Sequence, residues 1–207
     1  MIEKDKLYCF QIKNGYLNSC TYILYKKEYK SVWLVDCGDY NQINNWLKEN
    51  DKVPVGIFFT HCHLDHIYGV NKLTSDYPSV LIYISNSNGK IGLRDCRLNT
   101  SKYTPEPYVV ESNLINELSD NETILIFEDT EVEALMTDGH SPDSMSYIVG
   151  EWIFTGDAYI PTCNVITRLP GGNKEKAARS VERIIQMVDD EKLIIMPGHH
   201  IEKEETR

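Results

Sequence analysis

This chain lacks the marks of a disulfide-held or membrane-held protein. Its six cysteines, Cys9, Cys20, Cys37, Cys62, Cys96 and Cys163, stand singly and form no Cys-x-x-Cys pair, so no disulfide framework is expected. No apolar run approaches the ~18 residues of a membrane span. The opening Met1-Ile2-Glu3-Lys4-Asp5-Lys6 is charged and leads into no hydrophobic segment. A reducing cytoplasm, free thiols and no membrane partner are the expectation. Positive charge is also short: 21 Lys and Arg stand against 31 Asp and Glu, for a formal net charge of −10. Nucleic-acid affinity depends on cationic side chains that neutralise phosphates, so no nucleic-acid partner is expected. Tandem repeats, low-complexity stretches and linkers rich in Pro, Gly or Ser are missing as well. The 207 residues therefore read as one domain, 1–207, of a size that buries roughly 70–75% of its unfolded surface.

What the chain does have is a succession of short apolar runs. Residues 7–12, 19–25, 31–35, 55–60 and 80–84 read as strands, as do 123–127, 131–136, 145–149, 151–154 and 192–196. Residues 41–49 carry Ile43, Trp46 and Leu47 at helical spacing behind Asp39, a capping residue. The clearest helix is 173–188, with Ala177, Val181, Ile184, Ile185 and Val188 on one face. The longest irregular stretch is 94–113, which contains Pro105 and Pro107. Long structureless loops in a compact domain are usually functional, so this one is expected to wall a pocket. Two strand-rich halves, each with helices, fit two sheets packed face to face with helices outside, an α+β arrangement.

Chemistry concentrates in Thr60-His61-Cys62-His63-Leu64-Asp65-His66, which follows the run Val55-Gly56-Ile57-Phe58-Phe59. Four side chains able to bind a metal crowd into six positions at a strand end. Imidazole suits zinc, iron, copper and nickel, and a carboxylate adds charge to hold a divalent cation. Only six histidines exist, and the other three also follow strand-like runs: His140 in Asp138-Gly139-His140, His199 and His200 in Pro197-Gly198-His199-His200. Asp157 follows Thr155-Gly156 in the same way. Strand ends of this kind converge at one edge of a sandwich, where separated loops build one site. Cys62, between two candidate ligands, is expected to point into packing, and His200 is read as surface or supporting.

These residues resemble the motifs of the metallo-β-lactamase fold hydrolase superfamily. His61, His63, Asp65 and His66 match its His-x-His-x-Asp-His, and His140, Asp157 and His199 match its later ligands in order. Val35-Asp36-Cys37-Gly38 is similar to its first short motif, which implies that Asp36 orients the site through hydrogen bonds. The resemblance implies a four-layer αββα sandwich of two mixed β-sheets flanked by helices. It also implies two divalent ions, zinc first, with iron or manganese as alternatives. His61, His63 and His140 would hold one, Asp65, His66 and His199 the other, and Asp157 both. Seven donors exceed the four of a tetrahedral zinc. The implied reaction is hydrolysis by a hydroxide shared between the metals, with Asp65 steering its proton, on a small ester, thioester or lactone.

Leu98-Asn99-x-Ser101 and Leu169-Pro170-Gly171-Gly172 are similar to loops of the small glyoxalase II-like (hydroxyacylglutathione hydrolase-like) branch. Tyr103, Tyr159 and Arg168 are the expected substrate-binding residues. The chain departs from that branch at Ser141-Pro142-Asp143, where Thr-Pro-Gly is common, and at Val165-Ile166-Thr167 before Arg168. A mononuclear iron persulfide dioxygenase-like oxidoreductase and a phosphodiesterase of the same fold are the alternatives. A non-catalytic module stapled by metal is a further one, though a structural site needs only four donors.

Overall fold

Strands that are apolar on both faces need cover on both faces, and that requirement shapes this chain. The computed structural model describes residues 6–161 and 163–200; the charged opening, Met1 to Asp5, lies outside them. A first sheet takes β1 (Leu7–Lys13), β2 (Cys20–Lys26), β3 (Ser31–Val35), β4 (Val53–Phe58), β5 (Leu81–Ser85) and β6 (Ile115–Leu118) in sequential order. β1 to β3 pair antiparallel and β3 to β6 parallel. A second sheet has the order β11 (Ile194–Pro197), β10 (Trp152–Gly156), β9 (Met145–Val149), β8 (Thr130–Met136) and β7 (Thr123–Phe127). Its β10–β11 pair is parallel and the rest antiparallel, including the β9–β10 hairpin.

Side chains alternate between layers with the strand period of two. On β3, Trp33 and Val35 face the second sheet, and Val32 and Leu34 face the helices outside. Tyr22, Leu24 and Phe58 join the inner core opposite Ala134, Tyr147 and Phe154. The Trp33 indole donates to the Ile126 carbonyl at 2.9 Å, which satisfies its polar atom inside that core. Between the strands of the first sheet run α1 (Tyr40–Glu49), the one-turn α2 (Leu64–Ile67), α3 (Val70–Asp76) and the one-turn α4 (Gly89–Gly92). Outside that sheet α1 and α3 press Ile43, Trp46, Leu47, Val70 and Leu73 onto it. Asp39 caps α1 as expected, accepting from the Asn41 and Gln42 amides. Outside the second sheet lies α5 (Lys174–Glu191), whose Ile184 packs on Leu135, Ile148 and Ile153. The architecture is an αββα sandwich, and each fully buried Ile or Leu in it contributes about 1.5–3 kcal/mol.

Three details differ from the sequence reading. β6 is a strand where no signal was visible, because an edge strand with only Leu118 fully buried needs no apolar pattern. The fully buried residues of α5 are Ala177, Ser180 and Ile184, with Val188 packed beside them as expected, while Ile185 is exposed. Ser180 belongs there because its hydroxyl donates to the Asp138 carbonyl at 2.7 Å, tying α5 to the turn that carries His140. The metal-capable stretch is not all turn: Leu64–Ile67 forms a one-turn helix, α2. No described helix is long and apolar enough to cross a membrane, and all six cysteines are free.

Candidate metal centre

β4 ends at Phe58, and Thr60 carries the chain out of the sheet towards β9, whose Met145 amide donates to the Thr60 carbonyl at 2.8 Å. His61 and His63 follow in the turn, and Asp65 and His66 ride on α2; all four are buried. That short helix is fixed from three sides. The Leu64 amide donates to the Asn99 carbonyl, the Cys37 amide to the His66 carbonyl, and the Ser19 hydroxyl to the Asp65 carbonyl. Cys62 packs into the outer core as expected, and burial pushes its thiol up.

Asp36 is the anchor of this turn. At φ 61 it sits in the left-handed region, which asparagine and aspartate tolerate better than most residues. Its carboxylate accepts from the Thr60 amide at 2.8 Å and the Thr60 hydroxyl at 2.9 Å. It also lies 2.8 Å from His66 Nδ1. The Thr60 hydroxyl has one proton and gives it to Asp36, so His61 Nδ1, 3.0 Å from Thr60 Oγ1, must be the donor in that contact. Both rings are thereby held with Nε2 free.

The remaining donors come from the second sheet. His140 follows β8, Asp157 follows β10 and His199 follows β11. Glycines let these strand ends close up. Gly156 takes φ 50, and a Cβ there would lie 2.5 Å from Thr60 Oγ1. A Cβ on Gly198 would lie 2.4 Å from Asp157 Oδ1. Gly198→Ala should therefore displace Asp157, costing about 1–3 kcal/mol of stability and weakening metal retention. Thermal unfolding and elemental analysis read both effects, and a variant matching wild type in both would show that the turn has slack. His140 Nδ1 faces the Ile166 carbonyl at 2.8 Å, and His199 Nδ1 faces the Leu17 carbonyl at 3.0 Å.

The structure brings all seven sequence-expected donors together. The ligand atoms of His61, His63 and His140 lie within 4.8 Å of one another, as do those of His61, His66 and Asp157 and those of Asp65, His66 and His199. Asp157 faces both ends: Oδ1 is 3.3 Å from His199 Nε2 and 3.5 Å from His66 Nε2, and Oδ2 is 3.5 Å from His140 Nε2. Asp65 Oδ2 is 3.2 Å from His199 Nε2. The donor chemistry fits cations. Among the described residues, five buried side-chain polar atoms lack a hydrogen-bond partner: Nε2 of His61, His63 and His66, Oδ1 of Asp157, and Oδ2 of Asp143. Four of the five belong to this cluster. His63 Nδ1 and His140 Nε2 face each other at 2.9 Å, and two ring nitrogens in that position need a shared proton or a shared cation.

Electrostatics divides the cluster. Burial, then the neighbouring imidazoles, hold His61 well below its ordinary value, and burial with His140 brings His63 down to about 3. Burial also opposes charge on His66, but Asp65, Asp36 and Asp157 together raise it well above the usual range. His199 behaves alike, raised to about 10 against burial by Asp157 and Asp65. Burial works against Asp157 too, yet His199 and His66 hold it well below the carboxylate range. The centre thus combines unprotonated imidazoles at one end with a negative field that attracts positive charge at the other.

Among the described residues, two cavities open onto this centre. One of about 190 Å³ runs along the loop after Asp157, past Ile160, Asn164 and Ile166. The other, of about 270 Å³, lies between Tyr16, Leu17, Thr100, Tyr103 and Ile166. Thr100 and Tyr103 bring the irregular stretch 94–113 to the wall of the second cavity. Tyr108 of that stretch instead packs on the outer core. Tyr159 packs with Ile153 and Ile184 beneath α5 and lines neither cavity. Arg168 is exposed and also absent from both walls. His200 is exposed, with its amide bonded to the Asn18 carbonyl. Sequence reasoning missed Thr60 as a relay, and it missed Leu17 and Ile166. Their part in the centre is played by a backbone carbonyl, which every residue has.

Two mixed sheets covered by helices, with histidines and aspartates gathered where the strands end, make the frame of a metallohydrolase. The model of the metallo-beta-lactamase superfamily matches residues 15–199, and the chain belongs to that superfamily. YqgX of Bacillus subtilis (strain 168), a probable metallo-hydrolase, is 30% identical over 164 residues, covering 78% of this chain and 72% of the relative. A hydroxyacylglutathione hydrolase of Pseudoalteromonas translucida (strain TAC 125) is 26% identical over 160 residues. That match takes in 77% of this chain and 52% of the relative, so the chain spans about half its length. Among solved structures, BLEG-1 B3 metallo-beta-lactamase superposes with a TM-score of 0.83 at 26% identity, over 94% of this chain and 92% of that one.

Proposed function

We propose that the chain is a hydrolase that holds two divalent cations and cleaves a small, neutral or modestly charged ester, thioester or lactone. The observation that carries this reading is the position of Asp157, whose two carboxylate oxygens face different groups of histidines. His61, His63 and His140 hold one cation, Asp65, His66 and His199 the other, and Asp157 serves both. Zinc suits the imidazole-rich set first, with iron or manganese as alternatives. Bound divalent cations supply Lewis acidity, which polarises a carbonyl oxygen and acidifies water. Asp65 lines the open cavity, where its carboxylate can accept a proton from entering water. Asp36, through Thr60 and His66, keeps the Nε2 atoms of His61 and His66 turned inward. Neither cavity has a Lys or Arg in its wall, so a nucleic acid or other polyanion finds no counter-charge there.

Elemental analysis of protein purified without added metal, coupled to a panel of esters, thioesters, lactones and phosphodiesters, tests the reading. Two equivalents of metal and turnover of an ester, thioester or lactone are expected. Since few charge pairs contribute, kcat/KM should change by less than about twofold over a tenfold range of salt. Full activity with one equivalent, oxygen consumption with a persulfide, or efficient cleavage of RNA at physiological salt would overturn it.

A further inference from the structure

Leu17 and Ile166 each serve the metal centre with their backbone and leave their side chain facing open space. Leu17 sits at φ 54, followed by Asn18 at φ 55, so a leucine occupies backbone that glycine and asparagine favour. Its carbonyl lies 3.0 Å from His199 Nδ1. That contact explains the turn but not the leucine, because asparagine or glycine would offer the same carbonyl with less strain. The side chain is 62% exposed and lines the cavity beside His63 and Asp65. Ile166 repeats the arrangement. Its carbonyl lies 2.8 Å from His140 Nδ1, while its side chain is 47% exposed and lines both cavities. An exposed, strained leucine gains nothing from packing. Tyr16 and Tyr103, the latter 64% exposed, extend the same apolar rim.

We propose that Leu17 and Ile166 are specificity-determining residues that close on an apolar, uncharged arm of the substrate. The preferred substrate is then an ester, thioester or lactone bearing an alkyl or aryl chain and no carboxylate or phosphate. The scissile bond rests on the hydrolase reading above; the apolar grip does not. Because the carbonyls of these two residues orient His199 and His140, an arm seated between them is registered against both ends of the metal centre.

Calorimetry with uncharged dialkyl ketones of increasing length, which the chain cannot hydrolyse, reads this grip without turnover. Kd should fall by up to about fourfold per added methylene until the cleft is filled. Leu17→Asn and Ile166→Ala should each flatten that dependence to less than about twofold, with metal content held because both keep the carbonyl. Leu17→Asn should unfold at or above the wild-type temperature, since asparagine accepts left-handed backbone more readily. Leu125→Asn, at an equally exposed leucine of β7 (59%) away from both cavities, should leave Kd unchanged. A Kd independent of chain length, or tighter binding of a ketone carrying a carboxylate, overturns the proposal. Chain-length-dependent ketone binding without turnover of any ester, thioester or lactone would keep the grip and remove the hydrolase reading. Turnover confined to carboxylate-bearing substrates, with no ketone binding, would do the reverse.

Discussion

Asp157→Ala should release both cations together. Its Oδ1 has no hydrogen-bond partner and lies between His199 and His66, while Oδ2 faces His140. Alanine removes one donor from each proposed position and takes away negative charge that favours cations there. Metal content should fall from two equivalents to below one. Hydrolysis should fall about a thousandfold or more, since the polarisation that bound metals supply is worth several kcal/mol. The fold should persist, because the turn after β10 is held without this side chain. The Ala158 amide donates to the Thr155 carbonyl, and the Thr155 hydroxyl donates to the Tyr159 carbonyl at 2.6 Å. His61→Ala makes the contrast, since it should weaken mainly the position shared with His63 and His140. Elemental analysis and thermal unfolding on the same preparations check both. An Asp157→Ala protein that kept two equivalents would remove the shared-ligand assignment.

The clustering of the seven candidate donors was readable from sequence because their chemistry is carried by side chains at strand ends. His61, His63, Asp65 and His66 crowd one turn, while Gly156 and Gly198 let the strand ends close on Thr60 and Asp157, and Gly139 lets the His140 turn close on Ala177 of α5. The two-sheet sandwich was readable because β3 and β9 are apolar at all but one position each, which only cover on both faces explains. β6 escaped notice for the opposite reason: at the sheet edge, Ile115–Leu118 needs a buried residue only at its end. Leu17 could not be foreseen, since leucine rarely enters left-handed backbone and the turn is imposed by contacts from His199 and His200. Tyr159 is only two positions past Asp157 in sequence. There the chain has already turned under α5, so closeness in sequence to a donor did not translate into facing the cavity.

Asp36→Asn should separate orientation of the ligands from ligation itself. Asparagine keeps the shape of aspartate and tolerates φ 61, so the backbone has no reason to move. What changes is hydrogen-bond sense. The carboxylate accepts at both oxygens, from the Thr60 amide on one and from the Thr60 hydroxyl and His66 Nδ1 on the other. An amide has a single acceptor oxygen and presents N–H donors on the other side. Turned towards His66, those donors force Nδ1 to accept, so the ring proton moves to Nε2 and that lone pair is lost to a cation. Turned towards the Thr60 amide, they oppose another donor in a buried place, at a cost of about 1–3 kcal/mol. Either way metal affinity should drop about 10- to 100-fold, the range found when outer partners of metal-bound histidines are removed. The position that uses His66 should suffer more than the one that uses His61, which feels the change only through Thr60. Competition with a chromophoric chelator measures the two affinities separately, and thermal unfolding checks that the fold is kept. Wild-type affinity at both positions would mean that Asp36 braces the turn without setting the orientation of the rings.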